Sequence, residues 1–253
     1  MLASLTPGKT ILKIGALEPH VEDLVVFLKK MGAEIKVISP HIYEITGKKK
    51  LSGALHKIIP DPIEAGTFMI LAAALRSKIL IKNVRLDHLD LVIKKLEEIG
   101  VKINIFSSKG LYSDILIFPS FNLSGIEIQT QPYPGIPTDL QSPFGILATQ
   151  TNGTSLIFDT MFDGRLKYID ELIKMGANAI IADPHRALIT GPTPLYAQDI
   201  NSLDIRSGIS LVIAALLAKG KTVIRDAYQV DRGYERIDER LKKLGADIER
   251  IEQ

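Results

Sequence analysis

The chain contains no cysteine and no tryptophan. The first absence excludes disulfides, thiolate metal sites and a cysteine nucleophile within this chain. The second, with aromatic residues at only 6%, argues against a surface on which nucleic-acid bases stack. A charge excess is lacking as well: 31 basic residues against 29 acidic ones leave a net charge of +2, with the two signs interspersed. No nucleic-acid footprint stands out from such a pattern. Long hydrophobic runs are also missing. The two longest, Phe68 to Leu75 and Ile209 to Ala218 (interrupted only by Ser210), cover 8 and 10 residues, well short of the roughly 20 that span a bilayer. The opening residues, MLASLTPGKT, hold no basic segment leading into a long apolar stretch, so no signal peptide is read and the expected location is the cytoplasm. His20, His41, His56, His88 and His185 lie scattered without metal-ligand spacing. The phosphate-loop, H-E-x-x-H and G-x-S-x-G patterns are absent too.

What remains is an ordinary globular composition, 46% hydrophobic and 24% charged over 253 residues, enough for one large or two smaller domains. It is organised by a repeat. An amphipathic helix closed by glycine and followed by a strand occurs four times: LVVFLKKMGAEIKV, LVIKKLEEIGVKINIF, IDELIKMGANAIIA and DERLKKLGADIERIE. The closing glycines are Gly32, Gly100, Gly176 and Gly245, spaced 68, 76 and 69 residues apart. A left-handed helix cap requires positive φ, which is why glycine belongs there. Each copy follows a short β-branched run, KTILKI, KILIKNV, TSLIFD and KTVIRD.

Between the copies lies a second kind of helix, apolar on nearly every face: GTFMILAAAL, a poorer one near PFGILATQ, and GISLVIAALLA. Such helices are expected to be buried, and the half-charged first kind exposed. The unit reads as strand, buried helix, strand, exposed helix and further strands, which predicts α/β layers with three buried helices packed together. Residues 1–59 hold only the later part of a unit, and most of its buried helix would precede Met1. Residues 60–253 hold three units, the last without its closing strand. The expectation is part of a longer protein.

Four loops carry charge in unusual company. In IIPDPIEAGTFM, Asp61 and Glu64 precede a buried helix, where acids serve as caps and favour the helix dipole. In QPYPGIPTDLQSPF, prolines and a glycine predict a rigid, non-helical loop presenting Asp139, placed as a cap or as a general base. In LDIRSG, Asp204 and Arg206 open the most apolar helix, and an arginine there is unfavourable to the dipole unless an anion is present. In VDRGYERIDERL, Arg232 precedes an exposed helix, and Arg165 of FDGRLKYIDEL occupies the matching point of the previous unit. They stand 13 and 11 residues before their glycines. Three arginines at helix entrances suggest a cleft that takes an anionic substrate.

At these loops the sequence resembles a known family. LHKIIPDPIEAGTFMILAAA, TQPYPGIPTDLQ, FDGRLKYIDELIKMGA, LDIRSGISLVIAALLAKGKTVI and VDRGYERIDERLKKLGADIER are similar, in order and along essentially the whole chain, to the UDP-N-acetylglucosamine enolpyruvyl transferases. The shikimate-pathway enolpyruvyl transferases share the fold with different motifs. The resemblance implies an inverted α/β barrel of repeated βαβαββ units around buried helices, with residues 1–59 as the tail of an N-terminal domain and 60–253 as the C-terminal domain. It implies transfer of the enolpyruvyl group of phosphoenolpyruvate to the 3′-hydroxyl of UDP-N-acetylglucosamine with release of phosphate. That is the first committed step of peptidoglycan synthesis, and serves cell-wall biogenesis, cell shape and division.

By the same resemblance, Asp139 would be the base at that hydroxyl, and Met161 would set its backbone against the UDP-sugar. Asp204, Arg206, Arg165 and Arg232 would line the cleft and bind the phosphoenolpyruvate charges. Asp139, Asp204 and Arg232 are thus the catalytic candidates, and Asp139, Met161, Arg165, Arg206 and Arg232 the substrate-binding ones. No metal or other cofactor, nucleic acid or membrane is implied. The usual Phe-Glu-x-Arg-Phe is here Phe162-Asp163-Gly164-Arg165-Leu166. The usual His-Ile-Asp-Arg has Gln229 and Val230 in its first two places, and the usual Asp-Leu-Arg-Ala has Ile205 and Ser207. The charged residues survive these changes.

The chain alone is expected to be inactive, and the alternative reading is a non-catalytic UDP-sugar-binding half-protein or the subunit of a split enzyme. The apolar faces of KTILKI and of helix 21–31 should be bare, and the strand ADIERIE should present an open edge. Self-association, or complementation by the missing N-terminal half, is expected from such surfaces.

Overall fold

The computed structural model describes residues 1–107 and 110–251. The chain divides into two compact units, one formed by residues 1–60 with 132–134 and the other by residues 61–131 with 135–253.

In the first unit, β1 (Lys9–Lys13), α1 (Pro19–Lys30), β2 (Glu34–Ser39) and β3 (Ile42–Thr46) follow one another. The strands form an antiparallel sheet in the order β1-β3-β2, with Leu12 and Val37 both opposite Tyr43. Pro19 opens α1, where its fixed φ suits the first turn and its missing N–H costs nothing. The core is small: Leu28, Ala33, Ile35, Tyr43 and Ile45. Ile11 and Leu12 stay about half exposed and Ile14 is 93% exposed, the bare apolar face expected of KTILKI. Helix 21–31 departs from the expectation, because Leu28 lies in this core and Leu24, Val25 and Met31 pack against it.

The second unit contains α2 (Pro62–Ala74), β4 (Ile79–Arg85), α3 (Asp90–Ile99), β5 (Lys102–Ser107), β6 (Tyr112–Phe118), β7 (Glu127–Gln129), α4 (Thr138–Ala148), β8 (Gly153–Phe158), α5 (Tyr168–Lys174), β9 (Asn178–Ile181) and β10 (Arg186–Gly191). It continues through β11 (Asp199–Asn201), α6 (Ile205–Leu217), β12 (Val223–Arg225), α7 (Tyr228–Asp231) and α8 (Ile237–Lys243). Its sheets run β4-β6-β5, β7-β8-β10-β9 and β11-β12, one for each expected repeat. Within them β7 lies parallel to β8, and β11 to β12, whereas β6 and β10 pair antiparallel with both their neighbours.

The three all-apolar segments are the buried helices α2, α4 and α6, and α4 packs against both of the others. Every residue from Gly66 to Ala74, from Leu140 to Ala148 and from Ser207 to Ala214 is buried. The half-charged helices sit outside, and α3 turns Val92, Ile93, Leu96 and Ile99 inward while its acids and lysines face water. Gly32, Gly100, Gly176 and Gly245 take φ values of 94°, 104°, 99° and 100°, the left-handed caps that their positions required.

Two expectations are corrected. The segment after Gly245 is not a strand: residues 246–251 carry no ladder, and Glu252 lies outside the described residues. Ala246 and Ile248 instead lean on the core, and Arg250 grips Asp231 and Asp238 through its guanidinium. Side-chain anchorage has replaced pairing because Arg250 finds fixed acidic partners, so the predicted open edge is not formed. Asp139, too, is not in a non-helical loop. The proline-rich stretch ends at Pro137, and α4 begins at Thr138.

Close packing between the buried helix and its cover sets a sharp stability test. A Cβ built on Gly145 of α4 would come 2.0 Å from Tyr168 Oη, and Tyr168 is only 1% exposed. The ring cannot retreat through a filled core. Gly145→Ala is expected to destabilise by about 1–3 kcal/mol, read as a lower urea midpoint with an unchanged slope. An unchanged midpoint would mean that the tyrosine has somewhere to go.

Candidate active site

The site is built on the N-terminal ends of the three buried helices. A Cβ on Gly66 of α2 would lie 2.6 Å from Leu140 of α4. The Ser142 hydroxyl of α4 reaches the Arg206 carbonyl of α6 at 3.2 Å. Ser210, one turn further along α6, stands 2.9 Å from Ser142 and 2.8 Å from the same carbonyl. The first turns therefore lie side by side, and their dipoles favour negative charge at this end.

Each helix brings an aspartate, but the three are used differently. Asp61 caps α2, accepting from the N–H groups of Ile63 and Glu64 at 2.8 and 3.2 Å. Asp204 caps α6 in a capping box: its Oδ1 accepts from the N–H groups of Arg206 and Ser207, and the Ser207 hydroxyl accepts from the Asp204 N–H. Asp139 is the exception. Pro137 occupies the cap position of α4, so Asp139 falls in the first turn with a side chain that caps nothing. Pro143, four residues on, has no N–H to offer the Asp139 carbonyl. The loop before it is closed by a bond of 3.0 Å from the Gln131 N–H to the Ile136 carbonyl.

Released from capping, the Asp139 carboxylate meets arginines. Arg206 Nε lies 2.7 Å from its Oδ1, and Arg165 Nη1 lies 3.9 Å from the same atom. Arg165 is steadied by Phe162, whose ring centroid is 4.4 Å from its guanidinium carbon. One nitrogen of each guanidinium, Nη1 of Arg165 and of Arg206, is buried without a hydrogen-bond partner among the described residues. Buried donors of this kind are costly to leave unmet. Burial pushes the Asp139 carboxyl above the usual carboxylate range, Arg165 pulls against it, and the neighbouring carboxylates of Asp204, Asp61 and Asp159 add to the rise.

That direction has a consequence for stability. A carboxyl whose folded-state pKa is raised holds its proton more tightly folded than unfolded, so the ionised form opposes folding and stability falls as pH rises through the carboxylate range. Relative to Asp139→Asn, the parent chain should lose stability as pH rises above about 4, where an unperturbed aspartate ionises, until Asp139 itself is ionised. Paired urea titrations check this, and a parent that gained stability relative to Asp139→Asn as pH rose would reverse the sign.

The remaining candidates lie around this cluster. Arg232 follows α7 and is exposed, with a bond of 3.1 Å to Gln229 Oε1 rather than to Asp139. Its segment is nevertheless laid over the helix ends: Val230 abuts Gly208, Gly233 abuts Ile205, and Tyr234 Oη bonds the Thr67 hydroxyl at 2.8 Å. The Asp139 charge reaches Tyr234, two residues from Arg232, and is among the causes that raise its hydroxyl pKa, after burial. Met161 is 37% exposed, and its N–H is taken by Asp159 Oδ1 at 2.9 Å. What its backbone offers a ligand is therefore the carbonyl. Sequence reasoning missed Asp159 and the Ser142–Ser210 pair. Their signals were an acid ending the apolar run TSLIFD and the single serine in the run Ile209 to Ala218.

The profile of the EPSP synthase (3-phosphoshikimate 1-carboxyvinyltransferase) family matches residues 1–241. The chain is 42% identical over 251 residues to the UDP-N-acetylglucosamine 1-carboxyvinyltransferase of Halothermothrix orenii, covering 99% of this chain and 59% of that protein. It is 44% identical over 250 residues to UDP-N-acetylglucosamine 1-carboxyvinyltransferase 1 of Caldanaerobacter subterraneus subsp. tengcongensis, again over 99% and 59%. The chain thus spans about three fifths of the length of these curated relatives. Among solved structures it resembles the enolpyruvyl transferase NikO from Streptomyces tendae with a TM-score of 0.87 at 26% identity, over 98% of this chain and 58% of that one. EPSP synthase from Acinetobacter baumannii, at 21% identity and a TM-score of 0.71 over 100% and 60% of the two chains, shares the fold. The chain belongs to the EPSP synthase family of carboxyvinyltransferases, and the curated members it resembles are named for UDP-N-acetylglucosamine.

Proposed function

We propose that this chain carries the base and the anion-binding arginines of an enolpyruvyl transfer site acting on UDP-N-acetylglucosamine and phosphoenolpyruvate, in peptidoglycan synthesis in the cytoplasm. The observation that carries this reading is the cluster of Asp139, Arg165 and Arg206, in which an acid freed from capping stands against two half-buried guanidinium groups, each with one buried nitrogen unmet among the described residues. Asp139 takes the proton of the sugar 3′-hydroxyl as that oxygen bonds to C2 of phosphoenolpyruvate, while C3 gains a proton. Elimination then removes a proton from C3 and expels phosphate, leaving the enol ether. The intermediate carries both phosphate and carboxylate, and preorganised guanidinium groups stabilise such charge. A base with a raised pKa is better matched to an alcohol proton.

The other residues fall into place around this step. Asp204, bound up as a cap, holds Arg206 at the head of α6. Arg232 adds charge from the neighbouring segment, and the Met161 carbonyl faces the sugar nucleotide. Residues 1–59 are read as the tail of the preceding domain and residues 60–253 as the C-terminal one. The exposed Ile11, Leu12 and Ile14 suit association with a covering segment or a second copy.

The chain spans 59% of its relatives' length, and with one wall of the cleft the substrate charges face water, where Coulomb interactions are several-fold weaker. The purified chain is expected to bind phosphoenolpyruvate in calorimetry at millimolar concentration and to release no phosphate when both substrates are added. Absence of binding would sink the reading of the site, and steady phosphate release would sink the requirement for a second wall.

A further inference from the structure

Asp159 directly follows β8 and has no exposed surface, and the reaction proposed above gives it no part. Four donors from three segments converge on its carboxylate. Oδ1 accepts from the Thr130 hydroxyl at 3.1 Å and from the N–H groups of Met161 and Phe162 at 2.9 and 3.2 Å. Oδ2 accepts from the Thr138 hydroxyl at 2.6 Å. The backbone of Asp159 is pinned too: its N–H donates to the His185 carbonyl, and its own carbonyl meets His185 Nδ1, each at 2.8 Å.

Burying a carboxylate is unfavourable unless its lone pairs are met, and the donors that meet this one come from the segments that carry the site. Thr138 is the residue before Asp139 in the first turn of α4. Phe162 is the ring on which Arg165 rests. A continuous chain of contacts therefore runs from the base, through Thr138 and Asp159, to the Phe162 backbone, its ring and the Arg165 guanidinium. Thr130 completes the tie, since its hydroxyl also accepts from the Thr160 N–H at 3.1 Å.

We propose that Asp159 is a positioning residue for this site: its carboxylate ties the first turn of α4 to the 160–165 loop, so that Asp139 and Arg165 keep one spacing. The inference rests on the proposed function for its meaning, and on geometry alone for its existence. It names a side chain that touches no substrate and acts through two that do.

The test cuts the tie from the Thr138 side, leaving the buried carboxylate and its other donors in place. Thr138→Val removes the hydroxyl at constant shape, and Thr138→Ser keeps it. Two quantities are read in the purified chain: phosphoenolpyruvate affinity by calorimetry and the titration of Asp139 by carboxyl carbon NMR. In Thr138→Val, affinity should fall roughly tenfold, the effect of one charge-assisted hydrogen bond. Asp139 should titrate at higher pH as its contacts with arginine loosen, and Thr138→Ser should restore both. A role confined to stability would lower the melting temperature of Thr138→Val and leave affinity and the Asp139 titration unchanged, which overturns the proposal. If the parent chain binds no phosphoenolpyruvate, the functional reading fails separately. The positioning claim is then decided by the Asp139 titration, and an unmoved titration in Thr138→Val overturns it.

Discussion

Replacing Asp139 by Asn in a protein of the relatives' full length that carries these residues should lower turnover by roughly 10²–10⁴-fold, the range for a removed general base. Affinity for UDP-N-acetylglucosamine should change little. The split follows from what the amide keeps and what it loses. The substituted side chain would still fill the first turn of α4 and could accept a bond from Arg206 Nε, now 2.7 Å from Asp139 Oδ1. It could not take the proton of the attacking hydroxyl. Because burial and three neighbouring carboxylates raise the Asp139 pKa, the parent's turnover should fall on the acid side at a pH above that of an ordinary carboxylate. The residual activity of Asp139→Asn should lack that limb. Steady-state kinetics across pH decides the matter: comparable turnover in the two proteins, or an acid limb common to both, would assign the proton to another group.

Much of this arrangement was legible in the sequence, for reasons that differ by element. The left-handed caps at Gly32, Gly100, Gly176 and Gly245 were readable because only glycine adopts that φ cheaply, and a strict local requirement leaves a local mark. The buried helices were readable because α2 and α6 are apolar on all faces, which no exposed helix tolerates. The helix α4 is less apolar in sequence and holds Pro143 within it, and its start reads as loop because proline-rich segments usually stay non-helical. There, tertiary burial from Leu140 to Ala148 overrode local preference. The last segment, DIERIE, follows a glycine-closed helix as the strands of the earlier copies do, but pairing needs a partner edge, and here Arg250 is bonded to Asp231 and Asp238 instead.

The site itself was half legible. Three arginines and two aspartates at helix entrances stood out, because a cation at a helix N-terminus is locally unfavourable and calls for an anion. What could not be read was the division of labour among the acids. Asp61, Asp139 and Asp204 look alike in sequence, each just before or within the start of a buried helix. Only the cap positions separate them: two spend their oxygens on backbone N–H groups, and Pro137 displaces the third from that duty. Asp159 left still less trace, because beyond its chain neighbours Met161 and Phe162 its partners are Thr130 and Thr138, which reach it only in the fold.

Arg206→Ala is expected to have the second large effect, on phosphoenolpyruvate binding and on Asp139 together. Arg206 is the nearer of the two arginines to the base, and its Nη1 is buried with no partner among the described residues. Removing it takes away a charge-assisted donor from the anion, worth roughly 1.5–3 kcal/mol or about 10- to 150-fold in affinity. It also takes the closest cation from Asp139, whose pKa should rise further. Asp139 should then titrate at higher pH alongside the loss of affinity. Arg206→Lys should recover part of the affinity through its charge. It should not recover the whole, since one ammonium cannot present a fork to the anion while its inner nitrogen holds Asp139. Binding by calorimetry and the carboxyl titration of Asp139, measured on the same three proteins, separate these effects. If Arg206→Ala binds phosphoenolpyruvate as tightly as the parent, the unmet Arg206 donor is not aimed at the substrate, and the anion site must be rebuilt around Arg165 and Arg232.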